Sequence, residues 1–166
     1  MSIACAFHSS SADDTAAFAA EIAPALRPRD ILFLNGPVGS GKTHFARSII
    51  QTRLKAANRL EDVPSPTFTL VQTYDDGHSE FWHADLYRLK DPHDVLELGL
   101  DEGFENAIAL VEWPDRLGPF TPARHLSLHF SQGERANARD IEITSQGQDW
   151  SHVQSALAGV YGLVCQ

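Results

Sequence analysis

Cysteine is scarce in this chain. Only two cysteines, Cys5 and Cys165, occur among its 166 residues, and they lie near opposite ends. They form neither a CxxC pair nor a disulfide framework of the kind that staples small secreted domains. We therefore expect two free thiols and a reducing compartment.

Basic residues are also in deficit. The chain has 13 lysines and arginines against 22 aspartates and glutamates, which gives a net charge of −9. A surface of this sign repels a phosphate backbone unless a local basic patch overrides it. The balance argues against direct, general binding of nucleic acid.

Long apolar runs are missing as well. No run approaches the roughly 20 residues needed to span a bilayer, and the start "MSIACAFHSSSADD" lacks the basic residues and apolar core of a secretory signal. The hydrophobic share of 43% and the charged share of 21% are ordinary for a soluble globular protein. We expect one domain over residues 1–166, cytoplasmic and without membrane contact.

Local patterns predict alternating helices and strands. A first helix over "TAAFAAEIAPAL", with Ser11 as its N-cap and Pro24 weakening its last turn, is expected to precede the first strand, "ILFLN". The glycine-rich turn "GPVGSGKT" separates that strand from a helix over "HFARSIIQTRL". "AIALVEW" is a second apolar run suited to the middle of a sheet.

Two hairpins and two further helices complete the predicted elements. The segment "PSPTFTLVQTYDD" is expected to form a loop feeding a strand, which pairs with "GHSEFWHADLYRL" through a turn near Asp76 and Gly77. Asp91 caps a helix over "DPHDVLELGLDEGF", with Pro92 at its first position. "HLSLHF" and "RDIEIT" form a second hairpin, and "WSHVQSALAGVYGLV" closes the chain as a helix.

The glycine-rich turn carries the strongest chemical signal. Gly36, Gly41, Lys42 and Thr43 satisfy the pattern G-x-x-x-x-G-K-S/T, in which backbone N–H groups and a helix N-terminus surround phosphate oxygens. Lysine at this position reaches the β- and γ-phosphates, and the threonine hydroxyl joins the coordination of Mg²⁺. The residues predicted to contact a nucleotide here are Gly36, Pro37, Val38, Gly39, Ser40, Gly41, Lys42, Thr43 and His44.

Acidic residues follow two predicted strands. Glu112 ends "AIALVE" and Asp85 follows "FWHA", so both are expected at the carboxyl edge of a sheet, where open α/β folds bind ligands. Both are candidates for binding the metal ion or for positioning the oxygen that attacks the nucleotide phosphate. His83 shares a strand face with Asp85, and we favour a hydrogen-bonded histidine over a metal ligand. Trp113 is expected either to lie beside the nucleotide or to pack against neighbouring side chains.

Four segments together resemble a known family. "GPVGSGKTHFAR", "SPTFTLVQTY", "HADLYRL" and "ALVEWPDRL", in that order, are similar to the TsaE (formerly YjeE) family of small P-loop ATPases, which assist threonylcarbamoyladenosine formation in tRNA. The resemblance covers roughly Thr15 to Arg116 and extends weakly through the closing β segment. Many family members have an aspartate where this chain has Pro37, so no contact by an acid is expected at that position.

The resemblance implies a fold and a site. It implies a P-loop NTPase-like, three-layer α/β fold with a mixed, largely parallel sheet and antiparallel hairpins, and a site for ATP or ADP with Mg²⁺. Thr43, Asp85 and Glu112 would be the metal ligands, and Lys42 would act with both acids in catalysis. Trp113 would lie near the nucleotide and Thr15 near the base.

The resemblance also implies partners. The family serves a bacterial complex of TsaB and TsaD, in which TsaD transfers the threonylcarbamoyl group to adenosine. The segment Ser65-Pro66-Thr67 would act as a switch, with Thr67 sensing the γ-phosphate. The protein alone is expected to be a monomer, and the acidic balance leaves tRNA contact mainly to the partners.

The expected reaction is the hydrolysis of ATP. We favour Asp85 for metal coordination and Glu112 for positioning water or metal, with the reverse assignment open. Arginine often stabilises the transition-state charge on the γ-phosphate, and Arg88 and Arg116 are the internal candidates. If neither reaches the phosphate, the isolated protein should be slow and depend on its complex.

Two alternative functions stay open. A small-molecule kinase shares this chain length and the phosphate loop, the glycine-rich turn from Gly36 to Thr43. The sequence has no arginine cluster typical of a kinase lid. A binding module in which ATP only sets the shape seen by a partner would need no turnover. A GTPase is disfavoured, because no N-K-x-D motif follows the phosphate loop.

Overall fold

The computed structural model of this chain describes residues 2–166 and is built on one sheet of eight strands. In chain order the strands are β1 (Ala4–Ser9), β2 (Ile31–Asn35), β3 (Val71–Asp75), β4 (Glu80–Asp85), β5 (Ile108–Glu112), β6 (His125–Gln132), β7 (Arg139–Gln146) and β8 (Val164–Cys165). Across the sheet they lie in the order β3-β4-β5-β2-β6-β7-β1-β8.

The sheet is mixed, as predicted. The neighbouring pairs β4–β5, β5–β2 and β2–β6 are parallel, whereas β3–β4, β6–β7, β7–β1 and β1–β8 are antiparallel. The parallel part is therefore confined to four adjacent strands, β4, β5, β2 and β6. All five residues of β5 are buried, which is the pattern of a strand covered on both faces.

Helices cover both faces of the sheet. They are α1 (Ala12–Ile22), α2 (Lys42–Ala56), α3 (Asp94–Glu97), α4 (Leu100–Asn106) and α5 (Ser151–Ala158), with 3₁₀ turns over Ala23–Ala25 and Pro114–Phe120. Side chains of α1, α2 and α5 share one apolar core with Leu32 and Leu34 of β2. Side chains of α3 and α4 share a second core with Ile31 and Phe33, on the opposite face of the same strand. The predicted three-layer α/β fold is confirmed.

The helix limits follow from local chemistry. The Ser11 hydroxyl accepts a 3.1 Å bond from the backbone N–H of Asp14, so α1 begins where its cap was predicted. The helix expected over "DPHDVLELGLDEGF" is instead divided into α3 and α4. Gly99 separates them with a φ of 77°, and a left-handed residue ends an α-helix. Asp91 is not the cap residue, which is His93, but its carboxylate accepts the backbone N–H of His93 at 2.9 Å.

Both ends of the chain form strands that sequence analysis missed. We expected a helix before the first strand, but β1 precedes α1 and pairs with β7. We expected a helix to close the chain, but β8 follows α5 and pairs with β1. These strands are defined by pairing with distant segments, which a local pattern does not reveal.

The two cysteines are joined. The antiparallel register of β1 and β8 places Cys5 opposite Cys165, and the two form a disulfide across a sequence separation of 160 residues. The prediction of free thiols is wrong, because the fold brings the two terminal strands side by side. The cytoplasmic location remains a prediction, without support from unpaired thiols. Within residues 2–166, no helix is long and apolar enough to cross a membrane.

The disulfide yields a stability prediction. Cys165→Ser should lower the melting temperature by roughly 5–15 °C, since a disulfide typically contributes about 2–4 kcal/mol and each kcal/mol moves the midpoint of such a chain by a few degrees. Wild-type protein in excess dithiothreitol should match the variant in a calorimetric scan. Thiol titration of the denatured, unreduced wild type should find no free cysteine, and two titratable thiols would show that the bond does not form.

Candidate nucleotide-binding site

A cleft of about 510 Å³ lies at the carboxyl ends of β4, β5 and β2. Parallel strands end at a common edge, and side chains that follow such strands gather there. The sequence-predicted residues that line the cleft are Val38, Gly39, Ser40, Gly41, Lys42, Thr43, His44, Thr67, Asp85, Glu112 and Trp113. Segments far apart in the sequence therefore meet in one place.

The loop between β2 and α2 has a shape that glycine permits. Gly36 has a φ of 149°, and a Cβ on it would lie 2.7 Å from the carbonyl oxygen of Phe130. Gly41 has a φ of 105° and is the residue from which α2 begins. The loop thus passes directly against the backbone of β6 and enters the helix at the edge of the cleft.

Lys42 places a cation in the cleft. Its side chain is nearly buried, and its ammonium group donates to the carbonyl oxygens of Gly36 and Pro37 and lies 3.7 Å from the centroid of the Trp113 ring. Burial lowers the pKa of the Lys42 ammonium, and the carboxylates of Glu112, Asp85 and Asp115 oppose that shift. The cleft therefore combines one lysine with several acids.

The two predicted acids are paired across neighbouring strands. Asp85 lies opposite Glu112 in the register of β4 and β5, and their residues are 5% and 2% exposed. The Thr43 hydroxyl lies 2.8 and 2.9 Å from the two carboxylate oxygens of Glu112. Of the two acids, Glu112 is therefore the one in contact with the threonine of the phosphate loop.

Asp85 is hydrogen-bonded to residues other than Thr43. Its carboxylate accepts the Thr67 hydroxyl at 3.2 Å and the backbone N–H of Tyr87 at 3.0 Å. Thr67 belongs to the loop before β3, and the next residue, Phe68, is 84% exposed. One loop thus touches a buried carboxylate with one residue and solvent with the next.

His83 is a hydrogen-bonded histidine. Its imidazole is fully buried, and its Nε2 lies 2.7 Å from Oε2 of Glu112. Among residues 2–166, no group of three or more histidines, cysteines, aspartates and glutamates is arranged to hold a metal ion. The hydrogen bond predicted for this histidine is present.

Trp113 directly follows the second acid and has an uncommon backbone. Its φ of 57° and ψ of 53° are left-handed, which is rare for a bulky residue. Its ring lies against Lys42 and 5.0 Å from the ring of Tyr87. The strained backbone holds an indole at the wall of the cleft, which suits either of the two roles predicted for it.

Several predicted residues lie elsewhere. Thr15 is buried in α1, where its hydroxyl is 2.5 Å from that of Ser9, and it is not among the residues lining the cleft. Gly36 and Pro37 form the base of the loop without lining the cleft. The Arg88 guanidinium lies 5.2 Å from the Phe68 ring, and the Arg116 guanidinium lies 5.8 Å from the Tyr87 ring. Neither arginine is among the residues that line the cleft.

Three residues at the site were missed by sequence analysis. Arg47 and Tyr87 line the cleft, and Arg47 Nε donates to the carbonyl oxygen of Val63 at 2.8 Å. Arg47 follows Thr43 by one helical turn, a spacing that places both on one face of α2 and could have revealed it. Arg139 of β7 donates to the carbonyl oxygens of Gly39 and Ser40 at 3.1 and 3.2 Å. No local signal links it to the loop.

The side chains present suit a nucleotide with Mg²⁺. A hydroxyl and two carboxylates supply the oxygen ligands that Mg²⁺ prefers, and its remaining positions are usually filled by phosphate oxygens and water. The loop adds a lysine and a helix N-terminus for the phosphates. The buried Ser40 hydroxyl has no protein partner, which is a further free polar group at the loop.

Comparison with known proteins gives a consistent result. A family model described as "Threonylcarbamoyl adenosine biosynthesis protein TsaE" matches residues 9–141. The tRNA threonylcarbamoyladenosine biosynthesis protein TsaE of Rickettsia bellii is 40% identical over 112 residues, covering 68% of this chain and 76% of that protein. The Bacillus subtilis protein of the same name is 34% identical over 137 residues, covering 80% of this chain and 78% of that protein.

A solved structure matches the fold. The crystal structure of YdiB from Bacillus subtilis superposes with a TM-score of 0.77 at 25% sequence identity, covering 94% of this chain and 95% of that one. The family match includes the phosphate loop, both acids and Arg139.

The loop glycines provide a matched pair of variants. Gly39→Ala should cost about 1–2 kcal/mol, because its φ of 79° is left-handed but nothing lies within 4 Å of an added Cβ. Gly36→Ala should cost about 1–3 kcal/mol more than Gly39→Ala, because its Cβ also meets Phe130. Urea denaturation of both variants measures the difference. Equal losses would contradict the close approach of loop and β6.

Proposed function

Because the chain belongs to the TsaE family, whose members take part in threonylcarbamoyladenosine biosynthesis in tRNA, we propose that it binds and hydrolyses ATP in support of that modification. The observation that carries the proposal is the contact between Thr43 of the phosphate loop and Glu112 at the end of β5. Phosphate-binding and acidic groups meet there in one cleft.

The loop and α2 would bind the phosphates of ATP. Backbone N–H groups of the loop and the positive end of α2 favour anions, and the amino group of Lys42 lies beside them. Thr43 and Glu112 would hold Mg²⁺, with Asp85 beside them. When bound, Mg²⁺ would neutralise part of the negative charge on the β- and γ-phosphate oxygens.

The contacts of the two acids favour different tasks for them. Glu112 contacts Thr43, so we assign Glu112 to metal coordination. The sequence alone favoured Asp85 for that task. Asp85 touches Thr67, so we assign it to orienting the water that attacks the γ-phosphate. The loop bearing Thr67 would then sense the state of the nucleotide through Asp85.

The arrangement of arginines supports slow turnover by the isolated protein. Arg88 and Arg116 lie outside the cleft, and Arg47, which lines it, already donates from Nε to Val63. An arginine supplied by a partner can accelerate such a reaction by about 10³- to 10⁵-fold. We propose that a TsaB–TsaD complex activates the ATPase and, given the net charge of −9, makes most of the contact with tRNA.

Phosphate release from ATP tests the proposed activity. The purified protein should be slow alone and strongly stimulated by TsaB, TsaD and tRNA together. Lys42→Ala should weaken nucleotide binding by roughly 10- to 150-fold, the value of one or more charged hydrogen bonds, and should abolish stimulation. Lys55→Ala, on the exposed last turn of α2, is the control that should retain both. Absence of stimulation would favour a kinase and call for a screen of acceptor metabolites.

Glu112→Gln separates a turnover-driven machine from a nucleotide-dependent binding module. The variant keeps the shape of the side chain and should still bind ATP in a calorimetric titration, but its turnover should fall at least roughly tenfold, as for altered metal-site partners. Glu105→Gln, exposed on α4, is the matched control. A cell dependent on Glu112→Gln should lose the tRNA modification. Retention of modification without turnover would support the module instead.

A further inference from the structure

His83 does not line the cleft, yet it bonds to a residue that does. Its imidazole is 0% exposed, and its one hydrogen-bonding contact runs from Nε2 to Oε2 of Glu112 at 2.7 Å. Its other nitrogen, Nδ1, is buried without a partner. A polar group sealed in this way costs free energy, and the bond to Glu112 is the one side-chain interaction of the ring that offsets this cost.

The contacts assign one tautomer to His83. A proton on Nδ1 would be a buried donor with no acceptor, which is costly, whereas a proton on Nε2 is donated directly to a carboxylate. His83 therefore presents Nε2–H to Glu112. It serves as a donor to the acid.

The backbone fixes the direction of this donor. His83 and Asp85 are two residues apart on β4, so their side chains lie on the same face of the sheet. Strand β4 is paired on both edges, with β3 and with β5. Glu112 lies opposite Asp85, so His83 approaches it diagonally from the interior. Complete burial leaves the ring little freedom to turn.

Glu112 is thus held from two sides. His83 bonds to Oε2 from the interior, and the Thr43 hydroxyl lies within hydrogen-bond distance of both carboxylate oxygens from the start of α2. Oε1 has Thr43 as its one protein partner. The bond to His83 therefore fixes the rotation of the carboxylate and leaves Oε1 as the oxygen less committed to protein groups.

We infer that His83 is a positioning residue for Mg²⁺-dependent nucleotide binding: its Nε2–H holds the Glu112 carboxylate so that Oε1 and the Thr43 hydroxyl are presented together to the metal. This inference rests on the proposed function, since it concerns the same site. Removal of the partner of a ligating carboxylate typically weakens metal affinity by about 10- to 100-fold.

Paired substitutions test the donor. His83→Gln keeps an N–H near the position of Nε2, whereas His83→Asn places its amide near Nδ1 and leaves Glu112 without the bond; His83→Leu is a second variant with no donor. Isothermal titration calorimetry measures ADP affinity with Mg²⁺ and with EDTA. The ratio of the two affinities reports the contribution of the metal. His78→Leu, exposed at the turn between β3 and β4, is the control, and melting curves verify folding.

We expect His83→Asn and His83→Leu to reduce that ratio about tenfold or more, with ADP affinity in EDTA unchanged and His83→Gln close to wild type. In a Glu112→Gln background, His83→Asn should change the ratio no further. An unchanged ratio, an equal loss in EDTA, or the same loss in the Glu112→Gln background would overturn the role of His83. No effect of Mg²⁺ on the wild type would overturn the proposed metal site itself and the inference with it.

Discussion

Two carboxylates lie side by side, almost out of water, at the ends of β4 and β5, and much of the site is arranged around them. Like charges directly opposite on neighbouring strands destabilise a sheet, and buried charges are costly unless they are paired. Asp85 and Glu112 lie directly opposite each other and are both buried, so both costs apply to them. Four groups donate hydrogen bonds to them: the hydroxyls of Thr43 and Thr67, the imidazole of His83 and the N–H of Tyr87. The ammonium group of Lys42 adds a favourable Coulombic interaction.

The donors come from different parts of the fold, which gives the two acids different neighbours. Glu112 is bonded to Thr43 at the start of α2 and to the buried His83 of β4. Asp85 is bonded to a loop that also exposes Phe68 to solvent. A change at Glu112 therefore acts on the core of the site, whereas a change at Asp85 acts on a segment that reaches the surface. The pair thus links the centre of the sheet to a loop at the protein surface.

Sequence reasoning succeeded where a residue's task depends on its near neighbours. The strand before Gly36, the helix after Thr43, the hairpin turn at Gly77 and the Ser11 cap each have a local cause, and each was predicted. It failed where the cause is distant. Strands β1 and β8, the Cys5–Cys165 bond and the contact of Arg139 with the loop all depend on tertiary pairing. Of the two acids, the sequence named both but could not say which would touch Thr43.

Arg139 shows how far the loop's geometry extends. Its guanidinium holds the carbonyl oxygens of Gly39 and Ser40 from β7, outside the cleft. In a trans peptide the N–H points opposite to the C=O of the same plane. By anchoring the Ser40 carbonyl, Arg139 therefore also aims the N–H of Gly41, an amide that it never touches. The orientation of a peptide plane in the phosphate loop is in this way encoded by a side chain of the last hairpin.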